Sequence, residues 1–283
     1  MKAGLYVNYF RDNDLSVTRE LIGLFKDGGI DVAVEKNLSQ HFADGEIFDK
    51  NKLGGDIDLI VTVGGDGTIL SIIRQAAEKR IPVLGVNMGK VGFLTELEKT
   101  EVKDYIFAIK NKQYITEERV MLEAVVNGKP AYSVLNEWVI NRAGSARMVS
   151  MDVFVGGKLL DSYYADGFLV ATPTGSTAYS LSAGGSVLAP DTKCFNLIAI
   201  NSHSLHNRPI VVGDDEIIEV CIKDDRAPTT LIADGEIVRK VSSKDKIIIR
   251  KSKLTARFVR LKPQDFYARL LGKLNIWGNN KRE

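Results

Sequence analysis

Cysteine is scarce in this chain of 283 residues: only Cys194 and Cys221 occur, both in apolar, strand-like sequence. A disulfide framework needs more and closer pairs, so both read as core thiols of a reducing compartment, the cytoplasm. An excess of one charge is lacking too. The net charge of +2 gives no overall attraction that would make nucleic acid or a membrane surface the main partner. The basic pair Lys281-Arg282 is too short to alter this and reads as a solvated tail end. No apolar run reaches the roughly 18 residues that span a bilayer, and no signal peptide opens the chain. A soluble intracellular protein is expected, and 45% hydrophobic residues suffice for one large core or two moderate ones.

Familiar motifs are missing as well. There is no G-x-x-x-x-G-K-[ST] loop, which excludes a P-loop kinase, and no G-x-G-x-x-G dinucleotide fingerprint. Ser176 and Ser186 lie among glycines, but neither forms G-x-S-x-G and no histidine is implied as a base, which argues against hydrolase chemistry. His203 and His206 stand three apart in HSLH, where two imidazoles could share a helical face. No cysteine or carboxylate nearby completes a metal set, so structural hydrogen bonding is the better reading and no metal ligand is assigned. Internal repeats, heptads and low-complexity linkers are absent.

What the chain does contain is VTVGGDGTIL, residues 61–70. A buried-type strand over 59–63 runs into a loop whose Gly64, Gly65 and Gly67 allow a tight turn, and Thr68 is placed to cap a helix beginning at Ile69. Such a loop brings main-chain N–H groups to an anion at the positive end of a helix. Asp66 conflicts with that design unless it holds a cation or accepts a proton, which points to phosphoryl transfer. Taken alone, the loop is equally an ordinary Gly-rich turn.

Up to about residue 100, short strands (Leu5 to Val7, Val32 to Val34, Leu59 to Val63, Val83 to Val86) alternate with helical segments (Leu15 to Phe25, Ile69 to Ala77). This predicts an α/β domain with a doubly wound parallel sheet, whose ligands bind at the carboxyl ends of its strands. After a helix near Val102 to Ile109, two-residue alternation sets in, with hairpin turns at Asn127-Gly128, Gly156-Gly157 and Asp234-Gly235. A mainly antiparallel all-β domain is expected from about 115 to 260. Pro263 to Leu271 reads as a terminal helix, with Phe266, Leu270 and Leu271 at helical spacing, that can return to the first domain. The expected division is 1–100, 101–262 and 263–283.

Two β-region segments are dense in polar groups. In VLNEWVI, Asn136 and Glu137 interrupt an apolar strand; either one points into a cleft, or both are solvated at a strand end. In ADGFLVATPTGSTAYSLSAGGS, six hydroxyl side chains fall between Thr172 and Ser182 beside Tyr179. That set suits a nucleoside, and helix capping accounts for only one or two of the six.

VTVGGDGTIL, NMGKVGFLTEL (Asn87 to Leu97), the Asn136-Glu137 pair, DGFLVATPTGSTAYSLSAGGS, and HSL followed by Arg208-Pro209 together resemble the NAD kinases, in order and at the family's spacing, over nearly the whole chain. The resemblance implies transfer of the γ-phosphoryl group of ATP, or a phosphoryl group of polyphosphate, to the 2′-hydroxyl of the adenosine ribose of NAD. It makes Asp66 the proton acceptor, with Gly67 beside it at the substrate. Asn136, Glu137 and Asp166 would contact NAD, as would Thr177, Ala178, Tyr179, Ser180, Leu181 and Ser182, with Tyr179 against the adenine. Phe93 would line the same cleft. Arg147 stands where the family often has a basic or polar substrate contact, Tyr164 where it often has arginine, and Glu236 where it often has glutamine. For Asp234 a turn role is sufficient by itself. Mg²⁺, or another divalent cation, would accompany ATP with few protein ligands, and the chain would form a homo-oligomer, a tetramer or dimer. Two alternatives stay open here. One is a GGDG-type lipid or sugar kinase, against which the nucleoside-like TPTGSTAYSLSAGG block argues; the other is a non-catalytic nucleotide-binding module, against which Asp66 argues.

Overall fold

A strand buried along its whole length must be covered on both faces, and Leu59–Gly64 is one. The computed structural model describes residues 1–279 apart from 43–44, 90–91, 145, 205–206 and 264, with side chains as far as 273. It divides into two units, 1–118 with 256–283, and 119–255. Lys281-Arg282, His206, and the Lys90-Val91 step of NMGKVGFLTEL therefore lie outside the described residues.

The first unit carries β1 (Lys2–Val7), α1 (Ser16–Asp27), β2 (Asp31–Glu35), β3 (Glu46–Phe48), β4 (Leu59–Gly64), α2 (Asp66–Glu78), β5 (Val83–Asn87), β6 (Leu97–Glu98) and α3 (Val102–Lys110). Its strands run parallel in the order β5-β4-β1-β2-β3, with β6 beside β5. Leu59, Val61 and Val63 share one apolar cluster with Leu21 and Phe25 of α1 and Val102 and Ile109 of α3. Leu84 and Val86 face the same way, whereas Gly85 between them lies against Ile69 of α2. Neighbouring strand residues face opposite sides, so α2 covers the other face and the sheet is doubly wound, as expected. Chain order reverses between β1 and β4, which makes the carboxyl ends of these two strands a topological switch point.

The division differs from the expected one at both ends. Helix α3 belongs to the first unit because Val102 and Ile109 complete its core. The chain returns at residue 256, within a strand, and brings Val259 into the same cluster. The terminal helix α5 (Phe266–Asn279) also belongs there, although Leu271, expected on its apolar face, is 59% exposed.

The second unit is antiparallel. It contains most of β7 (Ile115–Val126), β8 (Lys129–Val134), β9 (Glu137–Arg142), β10 (Val149–Val155), β11 (Lys158–Ala165), β12 (Gly167–Ala171), α4 (Tyr179–Ser182), β13 (Cys194–Ile200), β14 (Ile210–Gly213), β15 (Ile218–Ile222), β16 (Thr229–Ala233), β17 (Glu236–Val241) and most of β18 (Lys246–Arg260). One sheet has the order β14-β13-β12-β9-β16-β17, and a second ladder runs β11-β10-β15-β18. Trp138, Ile140, Phe168 and Val170 of the former pack with Met151, Val153, Val220 and Ile247 of the latter in one core. The three expected hairpin turns all form, each with positive φ at both of its residues. Cys194 and Cys221 are free, but they are half-buried rather than core thiols.

Candidate active site

Helix α2 begins at Asp66, not at Ile69 as the sequence suggested. Thr68 does not precede the helix; it is the third helical residue, and its hydroxyl accepts the Gly65 N–H at 3.3 Å while its own N–H donates to the Gly65 carbonyl at 2.9 Å. The correction matters for Asp66. Its carboxylate lies in the first turn of a helix, where negative charge is favoured, and there it accepts the Phe93 N–H at 2.8 Å and the Leu94 N–H at 3.1 Å. Phe93, expected to line a cleft, meets Asp66 through its backbone N–H. A β-carbon at Gly92 would collide with the Asp66 carboxyl group, so the loop reaches Asp66 only because residue 92 has no side chain. The atoms struck are the end of a side chain that can swing away at the cost of its bonds to the Phe93 and Leu94 N–H groups, so Gly92→Ala should lower the melting temperature by only a few degrees. It should lower kcat on the order of 10²-fold by misplacing the carboxylate, and steady-state kinetics beside a thermal melt checks both halves.

Gly67 is exposed one residue further on and borders a cavity of about 470 Å³ that sequence reasoning missed. Its walls include Asn8 and Tyr9 after β1, His41 beyond β2, and Thr68 and Ser71 of α2. These are the strand ends flanking the switch point. The rings of Tyr9 and His41 are stacked, with centroids 5.8 Å apart and planes at 23°. The signal available in the sequence was position: Asn8-Tyr9 follows the first strand directly.

In the second unit Asn136 and Glu137 are 8% and 5% exposed, so the solvated strand end is not what forms. Asp234 explains their placement. Its carboxylate accepts the N–H groups of Leu135 at 2.9 Å, Asn136 at 2.8 Å and Glu137 at 3.1 Å. A turn role is therefore not its whole function. The Thr172 N–H and hydroxyl donate to the Asn136 and Leu135 carbonyls at 2.8 and 2.6 Å, and a β-carbon at Gly175 would strike the Asn136 carbonyl. Asn136, Glu137 and the Thr172–Ser176 loop are thereby held together.

Burial pushes the Glu137 carboxyl up to about 8, and the Asp234 carboxylate beside it adds to the shift. Burial raises Asp234 as well, against its three N–H donors. Those donors favour the charged form of Asp234, so Glu137 is the member that keeps the proton. One of its oxygens, Oε2, is buried with no hydrogen-bond partner among the described residues. The unfolded chain loses the Glu137 proton above the ordinary 4.5, the folded chain only near 8. Stability should therefore fall as pH rises through that window and level off above it. Melting temperatures at about pH 5 and about pH 8.5 should differ more for the native chain than for Glu137→Gln; equal differences would contradict the assignment.

The hydroxyl-rich segment serves mostly itself. Thr172 also accepts the Gly175 N–H, Thr174 accepts from Arg119, Ser176 bonds the Pro173 carbonyl and the Leu188 N–H, Thr177 donates to the Thr174 carbonyl, and Ser180 accepts from Asn196. Five of the six hydroxyls thus hold the loop in shape, correcting the expectation that capping explains one or two. Ser180 is fully buried, so its side chain faces Asn196. Tyr179 is 42% exposed and Ser182 is exposed, with Thr177, Ala178 and Leu181 half-buried between them.

The remaining candidates are dispersed. Asp166 accepts from Arg142 at 2.6 Å and Asn201 at 3.0 Å, and the Asn201 bond together with the Arg142 charge holds its carboxyl below the usual range. Tyr164 lies on β11, in the other ladder from β9 and β12, with its ring edge-on to His203 and its carbonyl accepting the His203 N–H. His203 is thus an aromatic and backbone partner. Arg147 is exposed between β9 and β10, and Glu236 is exposed at the start of β17. Among the described residues, no three His, Cys, Asp or Glu side chains are grouped as a metal site.

Residues 4–114 match the model of the ATP-NAD kinase N-terminal domain, and residues 135–261 that of the ATP-NAD kinase C-terminal domain. The chain is 36% identical to the NAD kinase of Syntrophotalea carbinolica over 98% of this chain and 99% of that one. It is 42% identical to the NAD kinase of Carboxydothermus hydrogenoformans over 77% and 79%. Among solved structures, the Archaeoglobus fulgidus NAD kinase in complex with ATP superimposes with a TM-score of 0.75 at 29% identity, covering 97% of this chain and 99% of that one. Yeast NADH kinase complexed with NADH shares the fold, with a TM-score of 0.86 at 23% identity over 97% of this chain and 87% of that one.

Proposed function

The chain belongs to the NAD kinase family, and from that premise we propose how its residues carry out the phosphorylation of NAD. The enzyme transfers the γ-phosphoryl group of ATP to the 2′-hydroxyl of the adenosine ribose, giving NADP and ADP. A lipid or sugar kinase, or a non-catalytic module, is not favoured. The observation that carries the proposal is the Asp66 carboxylate, fixed by the Phe93 and Leu94 N–H groups one residue from a cavity wall. As the ribose oxygen bonds to phosphorus, its proton passes to Asp66, and the bond from phosphorus to the bridging oxygen breaks with its electron pair leaving on ADP. The transition state is loose, so most of the acceleration comes from alignment and charge neutralisation.

The donor occupies the cavity at the switch point, with its phosphates toward Gly67, Thr68 and Ser71 at the start of α2 and its base on the stacked Tyr9 and His41 rings. In the second unit Asn136, Glu137 and the Tyr179 segment bind NAD. A protonated Glu137 can donate a hydrogen bond to a ligand oxygen and does not repel the pyrophosphate. With no three-ligand cluster among the described residues, a divalent cation would be held chiefly by phosphate oxygens, with Asp66 as the nearby carboxylate, and would neutralise phosphate charge when bound. Assembly as a homo-oligomer in the cytoplasm belongs to the same proposal and is checked by light scattering and fractionation. Purified protein with NAD, ATP and magnesium should yield NADP, read through an NADP-specific dehydrogenase, and polyphosphate in place of ATP tests the donor. No NADP with any donor or divalent metal would overturn the proposal.

A further inference from the structure

The loop that fixes Asp66 is held from behind by two guanidinium groups. We propose that Arg269, in the terminal helix α5, is a positioning residue for Asp66 that acts through the peptide group between Phe93 and Leu94. This rests on Asp66 being the proton acceptor. Both ends of that one peptide are engaged: its N–H donates to the Asp66 carboxylate at 3.1 Å, and its carbonyl accepts from Arg269 Nη1 at 3.0 Å. The same nitrogen also reaches the Thr95 carbonyl at 3.2 Å. A cation on the carbonyl draws electron density through the amide and strengthens the N–H as a donor, because hydrogen bonds in a chain polarise one another. The carboxylate is thereby tied to a positive charge on a different element through a rigid, planar group.

Arg260 provides the fixed half of the support. It is 4% exposed, donates to the Leu94 carbonyl at 3.1 Å, and is held by Glu117 at 2.6 Å and Glu96 at 3.2 Å. Glu96 also accepts the Leu261 and Lys262 N–H groups at 2.8 and 3.0 Å, which anchors the chain just before α5. Arg269 is then presented in the first turn and a half of α5, whose start is capped by Asp265 accepting the Ala268 N–H at 2.9 Å. In α5 it is a charged, half-buried side chain turned to backbone carbonyls rather than to solvent. If it only glued the helix down, an apolar side chain would serve as well.

The test is a double-mutant cycle of Arg269→Met with Asp66→Asn, reading kcat, KM for NAD, KM for ATP and the melting temperature. Arg269→Met should lower kcat about 10- to 100-fold, as loss of an orienting partner typically does, with both KM values changed by less than about twofold. In the Asp66→Asn background the same substitution should change the residual kcat by less than about twofold. Arg269→Ala should regain part of its turnover when methylguanidinium is added. Normal kcat in Arg269→Met, or an equal loss in the Asp66→Asn background, overturns the proposal while the proton-acceptor role stands. Near-normal kcat in Asp66→Asn overturns that role and this proposal with it. Should Arg269→Met fail to fold, Arg269→Gln enters the same cycle with the same expected outcomes.

Discussion

Asp66→Asn is expected to lower kcat by roughly 10²- to 10⁴-fold, the range over which a positioned proton acceptor contributes, while KM for NAD stays close to its native value. The amide matches the carboxylate in shape but cannot take the hydroxyl proton. It also meets two backbone donors, the N–H groups of Phe93 and Leu94, with only one acceptor oxygen. One N–H then faces an NH₂ group, so the loop over 92–94 should loosen and melting should come slightly earlier. Asp66→Ala separates the two effects, since it removes both the acceptor and the NH₂ conflict. Both variants should bind NAD and fail in turnover. Turnover near the native rate in Asp66→Asn would remove Asp66 from the chemistry.

Asp234→Ala should have the largest effect on stability and on NAD binding together. Three N–H groups lose a charged acceptor, and an unsatisfied buried donor costs about 1–3 kcal/mol, so a total loss of roughly 3 kcal/mol is expected after water reaches one or two of them. At about 2–4 °C per kcal/mol for a chain of this class, melting should drop by on the order of 10 °C. Residue 234 also sits at φ 45°, where alanine is strained and asparagine is tolerated. Asp234→Asn therefore isolates the lost charge from the lost backbone fit. KM for NAD should rise at least about tenfold in the alanine variant, as the Asn136-Glu137 backbone is no longer pinned. Removing the negative charge also takes away one cause of the raised Glu137 carboxyl, so the pH-dependent fall in stability should narrow. A melting temperature within a degree or so of native, with unchanged KM, would show that the three bonds are dispensable.

The parts of this architecture that were legible in the sequence are those written in local pattern. Buried parallel strands appear as continuous apolar runs, hairpins as Asn-Gly, Gly-Gly and Asp-Gly, and the amphipathic α1 as Val17, Leu21 and Phe25 at four-residue spacing. Residue type alone put Asp66 in doubt among glycines. What escaped is long-range. Asp234 grips N–H groups 97 to 99 positions earlier in the chain, and no spacing rule connects an Asp-Gly turn to a distant strand start. Arg269 acts on the carbonyls of Phe93 and Thr95, and an arginine aimed at backbone leaves no complementary acid in the sequence to find; the acids that hold Arg260, Glu117 and Glu96, stand 143 and 164 positions earlier in the chain. The hydroxyl-rich block misled for a related reason: Thr172, Thr174, Ser176, Thr177 and Ser180 all bond within their own unit, and a composition suited to a ligand is equally suited to a loop that must hold itself rigid.

The discontinuity of the first unit has a consequence for biosynthesis. Residues 256–273, which carry Val259 into its core and Arg260 and Arg269 onto the Asp66 loop, are made after the whole of the second unit. A nascent chain can close the second unit while the first still lacks its last strand and helix. The Asp66 carboxylate is therefore left without its backing until translation is nearly finished, so truncated or stalled chains should fold their β unit while the loop over 92–94 stays unsupported.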